Sequence, residues 1–176
     1  MLADALGAPQ VAAESRAFAA AGIAALEGLW SDVHGQYLCR DRATGAPIES
    51  ASCGGLLPIF AAIPQGRVAM LAATIGRRSA AVRFGVPSHD PADARFDRLR
   101  YWRGPSWLII NYLLADGLAA AGAEKAAGEI VAASLDVVRR SGFAEYYDPL
   151  DGAPLGGGSF TWTAAMVLEL LAGARI

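Results

Sequence analysis

Two stretches of the 176-residue chain carry side chains that could do chemistry together. In Tyr101-Trp102-Arg103-Gly104-Pro105-Ser106-Trp107, three large aromatics flank a guanidinium and a glycine. Aromatic faces stack on the C–H faces of sugars or on cations, and a neighbouring guanidinium donates to hydroxyls and carboxylates. The plainer reading of this run is an aromatic core plug beneath a helix start, with Arg103 satisfying a buried carboxylate. The second stretch is Ser141-Gly142-Phe143-Ala144-Glu145-Tyr146-Tyr147-Asp148-Pro149-Leu150-Asp151-Gly152, followed by Gly156-Gly157-Gly158-Ser159-Phe160-Thr161-Trp162-Thr163. Desolvation raises the pKa of a carboxyl set among aromatics and hydrogen bonds to its anion lower it, which is the tuning an acid or base needs. Asp148-Pro149 and Asp151-Gly152 read as ordinary turns. Glu145 lies at no turn position and is the candidate acid or base.

Other chemistries find less support. Gly156-Gly157-Gly158 lacks the Gly-Lys-Ser/Thr of a phosphate-binding loop and reads as a flexible loop. His34, Cys39, Cys53 and His89 match no structural zinc spacing, so no metal and no cofactor is expected. No serine sits in a recognisable nucleophile elbow.

These stretches need elements to position them, and periodicity supplies helices. Val11 to Trp30 is Ala-rich, with Phe18, Ile23, Leu26 and Trp30 at helical spacing. Gln36 to Cys39 and Ala46 to Ile48 flank Thr44-Gly45 as a small hairpin. Residues 54–63 predict a short helix, and Pro64 opens another over Gln65 to Ile75 that Gly76 stops. Ser79 to Arg100 reads as a long ordered loop. Pro105 starts an amphipathic helix that ends near Gly122, Ala123 to Arg140 forms the next, and Thr161 to Ala172 the last. Phe143 to Ser159 between them reads as a loop. About six helices result, with no tandem repeat.

Composition agrees with one folded unit. Apolar residues make up 54% and charged residues 18%, enough to build a core and to exclude wholesale disorder. Fifteen Lys and Arg against seventeen Asp and Glu give a net charge of -2, which offers no field for a nucleic-acid backbone. The first ten residues carry no Lys or Arg, and the longest apolar run, Ala17 to Leu26, is about half of what a bilayer-spanning helix requires. Two cysteines make no disulfide framework. The expectation is a soluble, cytoplasmic protein without membrane or nucleic-acid partners.

Tyr-Trp-Arg-Gly-Pro-x-Trp at 101–107, Ser-Gly-Phe-x-Glu-Tyr-Tyr-Asp-Pro-x-x-Gly at 141–152 and Gly-Gly-x-Phe-x-Trp-Thr-Ala at 157–164 occur in an order and spacing that resemble the last third of the mannosylglycerate and glucosylglycerate hydrolases. Gly85-Val86-Pro87-Ser88 and Arg95-Phe96-Asp97 match as well, so the resemblance runs from about Leu57 to Leu171. These are glycoside hydrolase family 63-like enzymes on an (α/α)6 barrel.

The resemblance implies that Glu145 is the general base that activates water in an inverting hydrolysis. It implies that Tyr101, Trp102 and Trp107 wall a sugar pocket, with Arg103 and Trp162 in supporting substrate-binding roles. Ala144 stands where the family has an aromatic, and residues 157–160 lack the polar side-chain amide expected near the glycerate end. The family's general acid, an Asp, lies upstream of Met1, and no residue here takes its place by motif, although an inverting glycosidase needs two carboxyls roughly 6.5 to 9.5 Å apart.

The expectation is therefore all-α. Residues 1–176 would form a single C-terminal segment, the C-terminal half of an (α/α)6 toroid, acting on a small α-glycoside and inactive alone. Its implied partner is a missing N-terminal half or a second copy. The alternatives are a non-catalytic sugar-binding remnant and a helical interaction domain. In a half-toroid Trp102, Trp107, Glu145 and Trp162 converge on one concave surface; in a closed helical bundle they scatter through the core.

Overall fold

The computed structural model describes residues 2–173. Roughly half of them are helical, in the elements α1 (Leu2–Ala5), α2 (Pro9–Glu27), α3 (Gln65–Ala80), α4 (Leu108–Ala120), α5 (Glu124–Ser141) and α6 (Thr161–Gly173). Three two-stranded antiparallel ribbons punctuate them: β1 (Trp30–Ser31) with β2 (Gln36–Tyr37), β3 (Cys39–Arg40) with β4 (Pro47–Ile48), and β5 (Tyr146–Tyr147) with β6 (Pro154–Leu155).

The helices follow the apolar periodicity, and the differences have local causes. Residues 54–63 form two 3-10 turns, Cys53–Gly55 and Leu57–Phe60, in place of one short helix, because Gly54, Gly55 and Pro58 deny it continuous hydrogen bonding. α3 runs through Gly76 to Ala80. Leu71, Thr74, Ile75 and Arg78 share its buried face, and packing of that face outweighs the roughly 1 kcal/mol a helical glycine costs. α4 begins three residues after Pro105, since Ser106 is held in extended pairing on both sides, bridging to Pro87 and to Tyr147. Trp30 leaves α2 and pairs with Tyr37.

One core joins α3, the 3-10 turns, α4 and α5 through Leu56, Ile59, Leu71, Ile75, Leu114, Leu118 and Ile130. A second, smaller cluster of Phe84, Leu108, Val137, Val138, Ala144 and Tyr147 takes Met166 and Val167 of α6 against it. α4 and α5 form a hairpin, and α6 packs across both. Between these three helices lies an apolar groove of about 580 Å³, lined by Tyr112, Ala115, Val131, Leu135 and Leu170 among others. Among the described residues no helix is long and apolar enough to cross a membrane.

Buried polar groups fasten the long loops to this core. Arg78, 1% exposed, donates to the side-chain oxygen of Gln36 and pairs with Asp90 at 3.3 Å, while Arg77 grips Asp90 at 3.0 and 2.6 Å. Asn111 of α4 accepts the Val86 N–H at 2.7 Å and donates to the Trp107 carbonyl at 3.1 Å. The segment on each side of Ser88 is thereby fixed before the aromatic stretch begins.

Candidate active site

The loop that carries Tyr101 is built from its own backbone bonds. Asp97 N–H donates to the Arg103 carbonyl at 2.8 Å, and the Arg103 guanidinium donates twice to the Arg95 carbonyl at 3.3 and 3.0 Å. Gly104 then passes so close that a Cβ there would lie 2.1 Å from the Asp97 carbonyl oxygen. The curl leaves Tyr101 at φ 27°, a backbone region that bulky residues rarely occupy, and such strain persists where surrounding structure over-determines it.

Glu145 comes from the opposite side, one residue before β5. Ser106 and Tyr147 exchange backbone bonds at 2.8 and 3.0 Å, which brings the two motifs into register. Arg98 adds a second tie by pairing with Asp148 and Asp151, each at 2.9 Å. Asp148 is fully buried and also accepts the Leu150 N–H at 2.9 Å, while Asp151 accepts that of Ala153 at 2.9 Å, so both act as turn formers.

The two loops meet in an aromatic stack. Trp102 lies parallel on Trp107 with centroids 4.1 Å apart, and Trp107 in turn stacks on Tyr146 at 4.7 Å. Tyr101 stands edge-on to all three, at 5.8, 4.9 and 5.2 Å from Trp102, Trp107 and Tyr146. Its hydroxyl donates to Glu145 Oε1 at 3.0 Å, and the Gly157 N–H reaches Glu145 Oε2 at 3.4 Å. That carboxylate holds the Tyr101 phenol above its ordinary pKa, with burial adding to the effect. Glu145 is thus oriented through both oxygens at the rim of the stack.

The structure brings together Glu145, Tyr101, Trp102 and Trp107, in unequal positions. Tyr101 and Trp102 are open to solvent, 47% and 41% exposed, whereas Trp107 is 2% exposed and backs the platform from beneath. Arg103 braces the loop between them. Trp162 is exposed in the first turn of α6 and makes its ring contact with Phe160, at 6.5 Å. Its element is nonetheless tied to the Glu145 strand: Phe160 N–H donates to the Phe143 carbonyl at 2.9 Å and Thr163 Oγ1 to that of Ala144 at 2.7 Å.

Three contributors have a role that the sequence does not assign: Tyr146 as the third plate, Arg98 as the tie between loops, and Gly156. A Cβ at Gly156 would lie 2.5 Å from Glu145 Oε2, and the residue has φ +72°. Gly156 and Gly157 together border the Glu145 carboxylate. Cys53 is buried with its thiol pushed up to about 11 by desolvation, and Cys39 is exposed on the far ribbon. Among the described residues no group of three His, Cys, Asp or Glu side chains could hold a metal ion.

Solved glycoside hydrolases share this fold. The family 63 mannosylglycerate hydrolase of Thermus thermophilus, determined with Tris, superposes with a TM-score of 0.81 at 39% identity, over 86% of this chain and 36% of that one. A sequence profile of the mannosylglycerate hydrolase MGH1-like glycoside hydrolase domain matches residues 1–163, and the chain belongs to that family. A mannosylglycerate hydrolase of Selaginella moellendorffii is 41% identical over 171 residues, 97% of this chain and 35% of its own length. The mannosylglycerate hydrolase of a second Thermus thermophilus strain is 40% identical over 148 residues, 84% of this chain and 36% of its own. The chain therefore spans about a third of the length of these relatives.

Proposed function

We propose that residues 1–176 are the base-bearing C-terminal segment of an (α/α)6 toroid that hydrolyses a small α-glycoside, such as mannosylglycerate or glucosylglycerate, with inversion. The observation that carries this reading is the Glu145 carboxylate, held by Tyr101 and Gly157 at the edge of the stacked Trp102, Trp107 and Tyr146 rings.

In that reaction the sugar lies on the exposed face of Trp102 beside Tyr101. Glu145 takes a proton from a water as the water attacks the anomeric carbon, and a second carboxyl protonates the departing oxygen. Trp107 and Arg103 keep the platform rigid, and Trp162, exposed at the start of α6, is the remaining substrate-binding candidate. The second carboxyl is assigned to the part of the toroid outside residues 1–176. A base without that acid leaves an alkoxide to depart unprotonated, and general acid catalysis is typically worth about 100- to 10,000-fold.

The chain alone is therefore expected to hydrolyse neither glycoside at a useful rate. Joining it to the upstream two thirds of the Thermus thermophilus enzyme is expected to restore hydrolysis. Turnover by the isolated chain contradicts the division of labour. A joined protein that binds the glycoside but never cleaves it favours the non-catalytic remnant.

A second surface supports the same reading. Of the 19 residues of α2 only Ala12 is buried, while Val11 and Phe18 stand 55% and 84% exposed. Such a face, together with the groove between α4, α5 and α6, seeks cover, from the other half of the toroid or from a second copy.

A further inference from the structure

Glu145 is only as well placed as the backbone that carries it, and that backbone is gripped by buried hydroxyls. Ala144, the preceding residue, is 3% exposed. Its carbonyl accepts Thr163 Oγ1 from α6 at 2.7 Å. Its N–H donates at 3.1 Å to the Tyr147 hydroxyl, which itself donates to the Gly142 carbonyl at 2.7 Å. The Ala144 carbonyl and the Glu145 N–H share one planar peptide unit, and that N–H donates to the Gly157 carbonyl at 2.9 Å. The plane from which the Glu145 side chain springs is thus fixed at both its oxygen and its nitrogen.

We propose that Thr163 and Tyr147 are positioning residues for Glu145, locking the two peptide units ahead of it so that its carboxylate meets the Tyr101 hydroxyl and the Gly157 N–H. Both act through Ala144 and not through the carboxylate itself. The catalytic meaning of this rests on Glu145 being the base. The positioning does not, because the Tyr101 contact reads it directly.

The test follows the Tyr101 phenol by NMR in the ¹³C-tyrosine-labelled chain as pH is raised. In the wild type it titrates above the ordinary value of about 10, and Glu145→Gln lowers it toward that value by removing the neighbouring charge. Thr163→Val, nearly isosteric but without the hydroxyl, and Tyr147→Phe are each expected to move the titration most of the way back. Thr163→Ser keeps the donor and keeps the wild-type titration. Leu170→Ala, which removes a buried side chain about two turns beyond Thr163 on the same helix, is expected to destabilise the chain and leave Tyr101 unmoved.

Wild-type titration in both Thr163→Val and Tyr147→Phe overturns the proposal, as does an equal shift in Leu170→Ala. Should Thr163→Val not fold, Tyr147→Phe alone decides. Failure of the base reading is a separate event, seen as retained turnover when Glu145→Gln is placed in the joined enzyme.

Discussion

Glu145 takes one hydrogen bond from a phenol and one from a glycine N–H, and the second exists because nothing larger than hydrogen stands at Gly156. Alanine there combines two penalties. A positive φ costs an L residue about 1–2 kcal/mol, and the new methyl meets Oε2 at 2.5 Å. Gly156→Ala is expected to lower the unfolding free energy by about that amount in a denaturant melt. In the joined enzyme its turnover should fall much further, on the order of 100-fold, since misplacing a reacting group by about 1 Å can cost that much. Loss of turnover in proportion to stability alone would show that the carboxylate tolerates displacement.

At the scale of elements, the fold rests on charged staples as well as on helix packing. Asp90 joins α3 to the loop preceding the aromatic stretch. Burial opposes its ionisation, yet the Arg77 hydrogen bonds, the Ala92 N–H and the charges of Arg77 and Arg78 prevail and bring its pKa from 3.8 to about 2. A depressed carboxyl pKa means that the unfolded chain binds the proton more readily. The stabilisation is whole above about pH 4 and is lost as pH falls through 2, and it amounts to about 2 kcal/mol. Chemical denaturation between pH 5 and pH 2 should show this loss in the wild type and a smaller one in Asp90→Asn. Equal slopes would remove Asp90 from the account.

The same elements show what could be read in advance. α5 and α6 begin within one residue of their expected starts because apolar periodicity and end signals coincide there. The stop at Gly76 and the start at Pro105 failed because tertiary partners decided them: Arg78 requires α3 to continue, and the bridges of Ser106 to Pro87 and Tyr147 keep 105–107 extended. The hairpin over 146–155 was hidden in a stretch that reads as loop, since two-residue strands leave no alternation to detect. Trp107 and Trp102 look alike in sequence, and only packing buries the first and exposes the second.

As a whole molecule the chain is a helical array with apolar surface still open. α2 stands away from the core along most of its length, with Phe18 the most prominent large side chain on it. Sedimentation of the isolated chain is expected to show concentration-dependent association, and Phe18→Glu to shift it toward monomer with little change in thermal stability, because an exposed position contributes little to the folded chain. A wild type that stays monomeric at high concentration would argue against α2 as a covered face.

Association, stability and geometry all bear on the proposed activity indirectly, and the role of Glu145 bears on it most closely. The decisive measurement is mannosylglycerate turnover by the chain joined to the upstream part of the Thermus thermophilus enzyme, with glutamate or glutamine at position 145. Gln is nearly isosteric and cannot take a proton from water, so Glu145→Gln is expected to keep the fold and glycoside binding while losing turnover by about 100-fold or more. Full turnover with glutamine would contradict the assignment of the base, and with it the central claim made for this chain.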